Sequence, residues 1–513
     1  MNDRKPMLSR RSFLAGATAA AAVSMIQATA SKSPASSAPS SHHPAIVVGS
    51  GFGGAVAADR LTAAGVRTLL LERGRDWMTP SNRSVAPHGY DLASPGWVWD
   101  PDTAGRTGFM AMDRAHYGGG SHVTLTGVGL GGGSLAYAGA TVRPPRKYFS
   151  SVLGGVLGHA EMEPVFDLVT RRIGAAPVPA DVFAGPAFAH ARVFEDQLRR
   201  AGFPVSRIPA AFNWDIVRDE VAGRRAPGLT GGDLLVLNGG KRSLQFNYLQ
   251  RARRSGRLTV VTRHEVVGIW TDRGRYVVEA SVIGDSRRTG RVVRFTCDRL
   301  FLGAGAAVTP GLILGSQRSG GLPNCNEHCG TLVGDNGDQV VARPAPRSDL
   351  PTSAPGLFSS AFVDDESDQL PTLVEGFSVP LAPGLEPLLV QFTMTADFEN
   401  RTTWRFRDGR PELTIPAAMT SGARAAARRI HQRMGGGPSA DLAGTPLASL
   451  LNSTAHLLGG MPLGRATDAS GQVIGHRGLY VVDGSLIHGS AGGANPSLLI
   501  AAVAEKCMDA AIG

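Results

Sequence analysis

Residues 45–74 have the sequence AIVVGSGFGGAVAADRLTAAGVRTLLLERG. The first four residues, Ala45–Val48, form an uninterrupted apolar run, which is typical of a strand buried on both faces of a parallel sheet. Apolar residues then recur at helical spacing as far as Gly65, which is placed to end the helix. Val66–Leu71 predicts a second strand, and Glu72 follows it directly. The stretch therefore predicts a strand–helix–strand unit.

The turn between the first strand and the helix carries the pattern G-x-G-x-x-G, formed by Gly49, Gly51 and Gly54. The first glycine permits a tight turn, the second lets the backbone approach a pyrophosphate, and the third allows close helix–strand packing. The helix N-terminus then presents its amide groups to the anion. Glu72, roughly 20 residues further on, suits a hydrogen bond to a ribose 2′-hydroxyl. The segment predicts a dinucleotide site.

The composition is that of an ordinary folded protein. A chain of 513 residues is long for one core and favours two domains. Its hydrophobic content of 42% and charged content of 18% differ from those of disordered chains. The net charge of +10 indicates a basic surface, but no aromatic-interleaved basic stripe accompanies it, so the sequence argues against nucleic-acid binding.

Residues 1–30 have the pattern of a twin-arginine signal peptide, with an uncleaved N-terminal helix as the alternative. Arg10 and Arg11 precede the apolar run Ala15–Ile26, and small residues follow at 28–30. This route exports chains already folded around a cofactor, so we expect a periplasmic or extracellular protein. Residues 31–43, rich in Ser, Pro and Ala, predict a flexible linker.

The four cysteines do not form a disulfide framework in a chain of this length. Cys325 and Cys329 lie close together in sequence with His328 between them. A local disulfide or two free thiols both fit this spacing. No second ligand pair accompanies them, so we predict no metal site.

Further elements of the same kind recur along the chain. A second glycine-rich loop spans residues 127–134. The predicted strand Arg299–Gly303 leads into a helix. Another predicted strand, at 478–484, ends in an acid and a glycine and is followed by a closing helix, Pro496–Ile512. A predicted hairpin, 276–283 with 291–296, precedes the middle strand. Residues 350–406 alternate as in a sheet, and we expect an apolar wall there, formed by Val374, Phe377, Leu388–Val390, Phe392 and Met394.

We therefore predict an α/β fold with two domains. A discontinuous Rossmann-like nucleotide-binding domain is expected from residues 44–80, 241–315 and 463–513. An α+β substrate-binding domain built on a large antiparallel sheet is expected from residues 81–240 and 316–462, inserted between these pieces.

Several strings resemble the glucose–methanol–choline (GMC) family of FAD oxidoreductases, and within it their spacing is most similar to that of bacterial cholesterol oxidases. They are the fingerprint through Glu72, the loop GLGGGS, GKRSLQFNYL at 240–249, LFLGAG at 300–305, GLPNCN at 321–326 and LYVVDGSLI followed by GANP at 479–496. The resemblance covers nearly the whole chain beyond residue 43. Two departures are Tyr137, where these relatives have an asparagine, and Leu457, where they have a proline after the histidine.

The resemblance implies non-covalently bound FAD, because no histidine stands at the loop position that carries covalent flavin in some relatives. The implied cofactor contacts are Gly49, Gly51, Phe52, Gly53, Gly54, Glu72, Gly132, Gly133, Ser134, Tyr137, Val266, Asp483, Gly484 and Asn495. The implied catalytic residues are His456 as the active-site histidine, Asn495 beside the flavin and Glu375 as the isomerising carboxylate. Burial among apolar neighbours is expected to raise the pKa of Glu375.

The implied activity is FAD-dependent oxidation of a 3β-hydroxysterol by O₂, giving the 3-ketone and H₂O₂, followed by isomerisation of the 5-ene to the conjugated 4-en-3-one. The alternative is another alcohol with a non-oxygen acceptor; a non-enzymatic flavin protein or a lipid-surface binder is the third possibility. The expected partners are the sterol and O₂, with transient membrane contact through loops near residues 81–110. We expect a monomer.

Overall fold

The computed structural model describes residues 41–84, 86, 98–99, 110–117, 120–284, 288–344, 350, 356–364, 370–379, 388–436 and 453–512. The predicted signal segment, most of the predicted linker and most of the loops near residues 81–110 lie outside these ranges.

The strands are β1 (Ser41–Val48), β2 (Thr68–Leu71), β3 (Val98–Trp99), β4 (Met110–Tyr117), β5 (Gly120–Gly127), β6 (Val205–Arg207), β7 (Leu258–Val261), β8 (His264–Asp272), β9 (Arg275–Ile283), β10 (Arg288–Leu302), β11 (Asp338–Pro344), β12 (Ser359–Val363), β13 (Thr372–Val379), β14 (Leu388–Thr395), β15 (Trp404–Arg407), β16 (Arg410–Ile415), β17 (Ser453–Thr454) and β18 (Leu479–Val481). The helices are α1 (Phe52–Ala63), α2 (Pro80–Arg83), α3 (Gly133–Ala136), α4 (Phe149–Val152), α5 (His159–Ile173), α6 (Ala180–Phe183), α7 (Ala189–Arg200), α8 (Trp214–Val221), α9 (Tyr248–Arg254), α10 (Thr309–Arg318), α11 (Ser421–Arg433) and α12 (Pro496–Ile512).

The first sheet contains the predicted strand–helix–strand unit. Its order is β7-β2-β1-β10-β9-β8, and β18 pairs with the end of β10. β7, β2, β1, the last part of β10 and β18 run parallel, with α1 joining β1 to β2. The Ala45–Val48 segment of β1 is fully buried, as expected for a strand covered on both faces. This confirms the Rossmann-like part of the fold.

The linker prediction is wrong at its last three residues. β1 begins at Ser41, because Ser41–His43 align in parallel with Phe295–Cys297 of β10. The backbone of β10 thus provides hydrogen-bonding partners for a segment whose composition alone favours a flexible chain.

The prediction of two strands at 291–296 and 299–303 is also wrong, because β10 is one strand of 15 residues. Its first part pairs antiparallel with β9 as far as Cys297, and beyond that point the same edge pairs in parallel with β18 at Leu300–Leu302. The other edge pairs with β1 throughout Phe295–Leu302. β10 stays continuous because β18 takes the place of β9 as its hydrogen-bonding neighbour beyond Cys297.

The second sheet is antiparallel throughout, in the order β11-β14-β13-β12-β6. It confirms the predicted antiparallel sheet. The third sheet has the order β15-β16-β4-β5-β17, with β3 beside β4. β15 therefore does not belong to the sheet formed by the other strands of residues 350–406, since its partner is β16. The domain boundaries given above stay a prediction.

A buried ion-pair cluster joins the helices beside the first sheet. Glu505 on α12 is 1% exposed. Its carboxylate pairs with Arg60 of α1 at 2.7 Å and with Arg172 of α5, and the Tyr248 hydroxyl of α9 donates to it at 2.8 Å. One side chain therefore connects four helices.

We expect Glu505→Ala to lower the free energy of unfolding by about 3–5 kcal/mol, because it leaves buried donors without their carboxylate. Asp509→Ala is the matched control: Asp509 pairs with the same Arg60 at 2.6 Å, but its side chain is 55% exposed. Exposed pairs contribute less than about 1 kcal/mol. Urea unfolding followed by far-UV circular dichroism measures both variants, and equal losses would contradict a central role for Glu505.

Candidate active site

The turn after β1 is held by backbone contacts that leave no room for side chains. Gly49 has a φ of +84°, and a Cβ there would lie 2.4 Å from the carbonyl oxygen of Gly303, at the end of β10. A Cβ on Gly53 would lie 1.6 Å from the carbonyl oxygen of Val482, beyond β18. A Cβ on Gly54 would lie 2.1 Å from the carbonyl oxygen of Gly49. These glycines bring the carboxyl ends of β1, β10 and β18 together.

Gly51 and Gly133 differ from these three glycines, because a Cβ on either would clash with no other atom. The nearest atom to such a Cβ is 4.0 Å away in both cases, and both residues line one cavity. Gly51 caps the N-terminus of α1, whose first turn contains no acidic residue. The backbone amides at this end of α1 therefore face the cavity as an anion site.

The cavity has a volume of about 420 Å³ and extends from the ends of β1 and β2 to the second sheet. The predicted site residues in its wall are Gly49, Gly51, Phe52, Gly53, Glu72, Gly132, Gly133, Tyr137, Val266, His456, Asp483, Gly484 and Asn495.

Gly54, Ser134 and Glu375 are the predicted site residues that do not line the cavity. Gly54 packs against Gly49, as described above. Ser134 is fully buried; its hydroxyl donates to the Gly131 carbonyl oxygen at 2.7 Å and accepts from the Leu244 amide at 3.0 Å, so its contacts fix the second glycine loop. Glu375 lies behind Asn495.

Glu72 is 5% exposed and is positioned by the turn itself. Its Oε2 accepts hydrogen bonds from the Ser50 amide at 3.1 Å and the Ser50 hydroxyl at 2.5 Å, and its Oε1 accepts from the Gly74 amide at 2.8 Å. Burial raises the pKa of Glu72, although these hydrogen bonds oppose the rise. A carboxylate has about four lone-pair positions, so it still has capacity for a ribose hydroxyl.

Asp483 is placed at the junction of β18 and the N-terminal side of α10. Its Oδ2 accepts from the Gly305 amide at 2.7 Å and from the Thr309 hydroxyl at 2.6 Å, and its Oδ1 accepts from the Ser485 amide at 2.9 Å. Burial raises the pKa of Asp483 despite these bonds. Asp483 therefore fixes the loops that form the middle of the cavity wall.

His456 lies at the second-sheet end of the cavity and is paired with an acid that the sequence analysis missed. Asp338, the first residue of β11, accepts a hydrogen bond from His456 Nδ1 at 2.9 Å. The other carboxylate oxygen of Asp338 accepts from the Thr454 hydroxyl at 2.7 Å and from the Ala455 amide at 3.2 Å. Nε2 is then the ring nitrogen that remains available to a molecule in the cavity.

Asn495 and Glu375 meet beside this histidine. The Asn495 side-chain amide donates to Glu375 Oε2 at 3.1 Å, and Glu375 is fully buried in the middle of β13. Glu375 Oε1 and Asn495 Oδ1 have no hydrogen-bond partner within the part of the chain that the structure describes. Burial raises the pKa of Glu375 to about 7; the Asn495 hydrogen bond and the charge of His456 oppose this rise, and the Asp338 carboxylate adds a smaller increase. The sequence predicted this direction.

The charge around His456 favours its protonated form. Burial by itself would lower the pKa of His456, but the nearby carboxylates of Asp338 and Glu375 outweigh it, so the pKa lies above the ordinary value. The centroid of the Phe392 ring lies 5.6 Å from that of the imidazole, and the two rings are tilted by 55°.

The predicted apolar wall is only partly correct. Phe377 and Phe392 line the cavity, whereas Val374 packs on the opposite side of β13 with Phe194. Leu388–Val390 and Met394 are buried and do not line the cavity either. Alternating side chains of a strand point to opposite faces, which explains Val374; Val390 and Met394 share the face of Phe392 but lie outside the stretch of that face that the cavity reaches.

The four cysteines are free thiols in the structure, Cys325 and Cys329 among them. Within the described ranges, no group of three or more His, Cys, Asp or Glu side chains is arranged to hold a metal ion. Within the same ranges, no helix is both long enough and apolar enough to cross a lipid bilayer.

The geometry fits a flavin dinucleotide. The pyrophosphate of such a cofactor would fit against the amides of α1, where Gly51 and Gly133 leave room. Its ribose would fit beside Glu72, which can accept one more hydrogen bond. Asn495 lines the far end of the same cavity. The Tyr137 ring, packed edge-on against Phe52 at 5.5 Å, adds an aromatic wall between these ends.

Residues 415–504 match the GMC oxidoreductase family, and residues 47–94 match the NAD(P)-binding Rossmann-like domain. These two matches support a relation between this chain and the GMC oxidoreductase family. The chain is 28% identical to a cholesterol oxidase of Mycobacterium tuberculosis (strain ATCC 25618 / H37Rv), with 90% of this chain and 89% of that protein covered. It is 24% identical to a cholesterol oxidase of Acinetobacter baumannii, with 90% and 93% covered. Pyridoxine 4-oxidase from Mesorbium loti shares the fold at a TM-score of 0.61 and 18% identity, with 91% and 99% covered.

These matches and the cavity support an FAD-dependent alcohol oxidoreductase of the GMC type. The GMC match and the Rossmann-like nucleotide-binding match together support FAD as the cofactor. Gly49, Gly51, Phe52, Gly53 and Glu72 would hold its adenosine and pyrophosphate half.

We expect Gly51→Val to lower FAD affinity by at least about tenfold, about 1.4 kcal/mol, because its side chain would enter the cavity where the pyrophosphate must lie. Gly158→Val is the matched control: Gly158 also precedes a helix, has an extended backbone with φ −82° and ψ 150°, and has no atom near its Cβ position. The ratio of flavin to protein absorbance after purification measures both. Full FAD content in the Gly51 variant would refute this placement.

Proposed function

We propose that this protein is a 3β-hydroxysterol oxidase that binds FAD non-covalently, oxidises a cholesterol-like substrate to its 3-ketone, and isomerises the product. The observation that carries the proposal is that His456 and Asn495 line one end of the cavity, and that the Glu375 carboxylate lies directly behind Asn495, 3.1 Å from its side-chain amide. Two relatives that cover most of the chain are named cholesterol oxidases, which supports the sterol class.

His456 is the group that handles the substrate hydroxyl proton. Its Nδ1 is engaged by Asp338 at 2.9 Å, so Nε2 accepts the proton when the alcohol is oxidised. FAD, when bound, supplies the two-electron acceptor for the hydride from the carbinol carbon. Asn495 is uncharged and carries both a donor and an acceptor, so it orients substrate and cofactor without adding charge.

Glu375 is the group that moves the proton during isomerisation. A 3-ketone makes the C4 protons of a 5-ene sterol acidic, and a carboxylate above the ring can remove one from C4 and return it at C6. Burial raises the pKa of Glu375 to about 7, which makes it a stronger base than an exposed glutamate. Phe377, two residues along β13, and Phe392 add apolar surface suited to a sterol.

The proposal includes O₂ as the acceptor that reoxidises the flavin to give H₂O₂. It also includes export by the twin-arginine pathway, a monomeric state, and brief contact with a membrane surface to collect the sterol. The second candidate is another alcohol with a dye, quinone or haem protein as acceptor, because an identity of 28% and 24% to the two relatives does not fix the substrate.

Anaerobic mixing of the purified yellow protein with cholesterol should bleach its visible flavin absorbance, and admission of air should restore the colour and yield H₂O₂. The 3α-hydroxy epimer is the matched control, since it has the same apolar surface and presents its carbinol hydrogen to the wrong face. Bleaching by other alcohols and none by cholesterol would leave only the second candidate.

We expect Glu375→Gln to keep alcohol oxidation within about tenfold of the original rate and to release the unconjugated 5-en-3-one, because the amide cannot accept the C4 proton. Product analysis by ultraviolet absorbance separates the two ketones, since only the conjugated one absorbs strongly. His456→Gln is the contrasting variant and should lose oxidation by at least about 100-fold. Conjugated product formed at the original rate by the Glu375 variant would exclude Glu375 from the reaction.

A further inference from the structure

The carboxylate of Asp338 is more deeply buried than the histidine that it contacts. The Asp338 side chain is 1% exposed and the His456 side chain 17%. An ionised carboxylate is an acceptor only, so the 2.9 Å contact requires the proton of a neutral imidazole to be on Nδ1. Asp338 therefore sets which of the two ring nitrogens can receive a proton.

The remaining contacts of Asp338 make this arrangement rigid. Its second oxygen accepts from the Thr454 hydroxyl and the Ala455 amide, the two residues that precede His456. The Thr454 hydroxyl in turn accepts from the His456 amide at 2.9 Å. The backbone and the ring of His456 are thus fixed by the same acid, across a sequence separation of 118 residues.

We propose that Asp338 is a positioning residue for the oxidation step: it holds His456 in the tautomer and orientation in which Nε2 accepts the hydroxyl proton, and it stabilises the imidazolium that results. The proposal rests on the proposed function of His456 as the proton acceptor. The acid–histidine pair of serine proteases works by the same physics, where replacement of the acid by its amide puts the histidine in the wrong tautomer.

The amide variant Asp338→Asn has a defined expected geometry. The Ala455 amide is a fixed donor, so the oxygen of the substituted side chain must face it to avoid two opposed donors. The NH₂ group of the substituted side chain then faces His456 Nδ1, which must become the acceptor, and the ring proton moves to Nε2. In that state Nε2 cannot take the substrate proton.

Two carboxylates act directly on the charge of His456. Asp338 on β11 and Glu375 on β13 raise its pKa. Asp335 lies next to Asp338, and burial together with repulsion by Asp338 raises the pKa of Asp335 to about 7. Arg401 offsets part of that repulsion. Asp335 is not in contact with His456, which makes Asp335→Asn a matched control for the loss of a buried carboxylate.

The experiment compares FAD-loaded wild type, Asp338→Asn and Asp335→Asn. We expect Asp338→Asn to retain FAD and to lower kcat for alcohol oxidation by about 100-fold to 10,000-fold with a smaller change in KM. Neutral His456 is the active form and Asp338 raises its pKa, so the acidic limb of kcat/KM should move to lower pH in this variant. Asp335→Asn should keep kcat and the position of that limb close to those of the wild type.

The tautomer is measured separately, by nitrogen NMR of protein labelled at histidine, with His456→Asn used to assign the signal. We expect a protonated Nδ1 in wild type and in Asp335→Asn, and a protonated Nε2 in Asp338→Asn. This readout needs no substrate, so it tests the proposal even where no sterol is oxidised. An unchanged tautomer, or an unchanged kcat and pH profile, in Asp338→Asn would overturn the proposal.

Discussion

The contact on which the site depends is the meeting of three backbones at the turn after β1. Gly49 lies against Gly303 and Gly53 against Val482, at distances that a Cβ on either glycine would make impossible. Because these contacts carry no side chains, the carboxyl ends of β1, β10 and β18 converge on one point. The amides of α1 and the carboxylate of Asp483 therefore open into the same cavity, which is the position where parallel sheets bind ligands.

The other end of the cavity depends on a polar contact. The side chain of Asn336, which is fully buried, donates to the Ala494 carbonyl oxygen at 3.0 Å and accepts from the Ala491 amide at 2.8 Å. It ties the segment that precedes Asp338 to the loop that carries Asn495. Asp338 and Asn495 are therefore placed relative to each other by one amide group.

Local signals made the first part of the site predictable, and long-range pairing made the rest unpredictable. The glycine spacing and the apolar runs give β1, α1 and α12 within a few residues, because each signal lies inside its own element. The continuity of β10 depends on its neighbours and was missed. The GMC resemblance supplied His456, Asn495 and Glu375, and the structure brings all three together. Nothing near Asp338 in sequence marks it, because its partner lies 118 residues away.

The electrostatic interaction between Glu375 and His456 favours one sequence for the two proposed steps, oxidation before isomerisation. Glu375 has a pKa of about 7 and the pKa of His456 is raised, so each group responds to the charge of the other. When His456 takes the hydroxyl proton, its positive charge lowers the pKa of Glu375 and favours the carboxylate. That carboxylate is the form that can remove a proton from C4 of the ketone. In the proposed sequence of steps, oxidation therefore prepares Glu375, which lies directly behind Asn495, for the isomerisation.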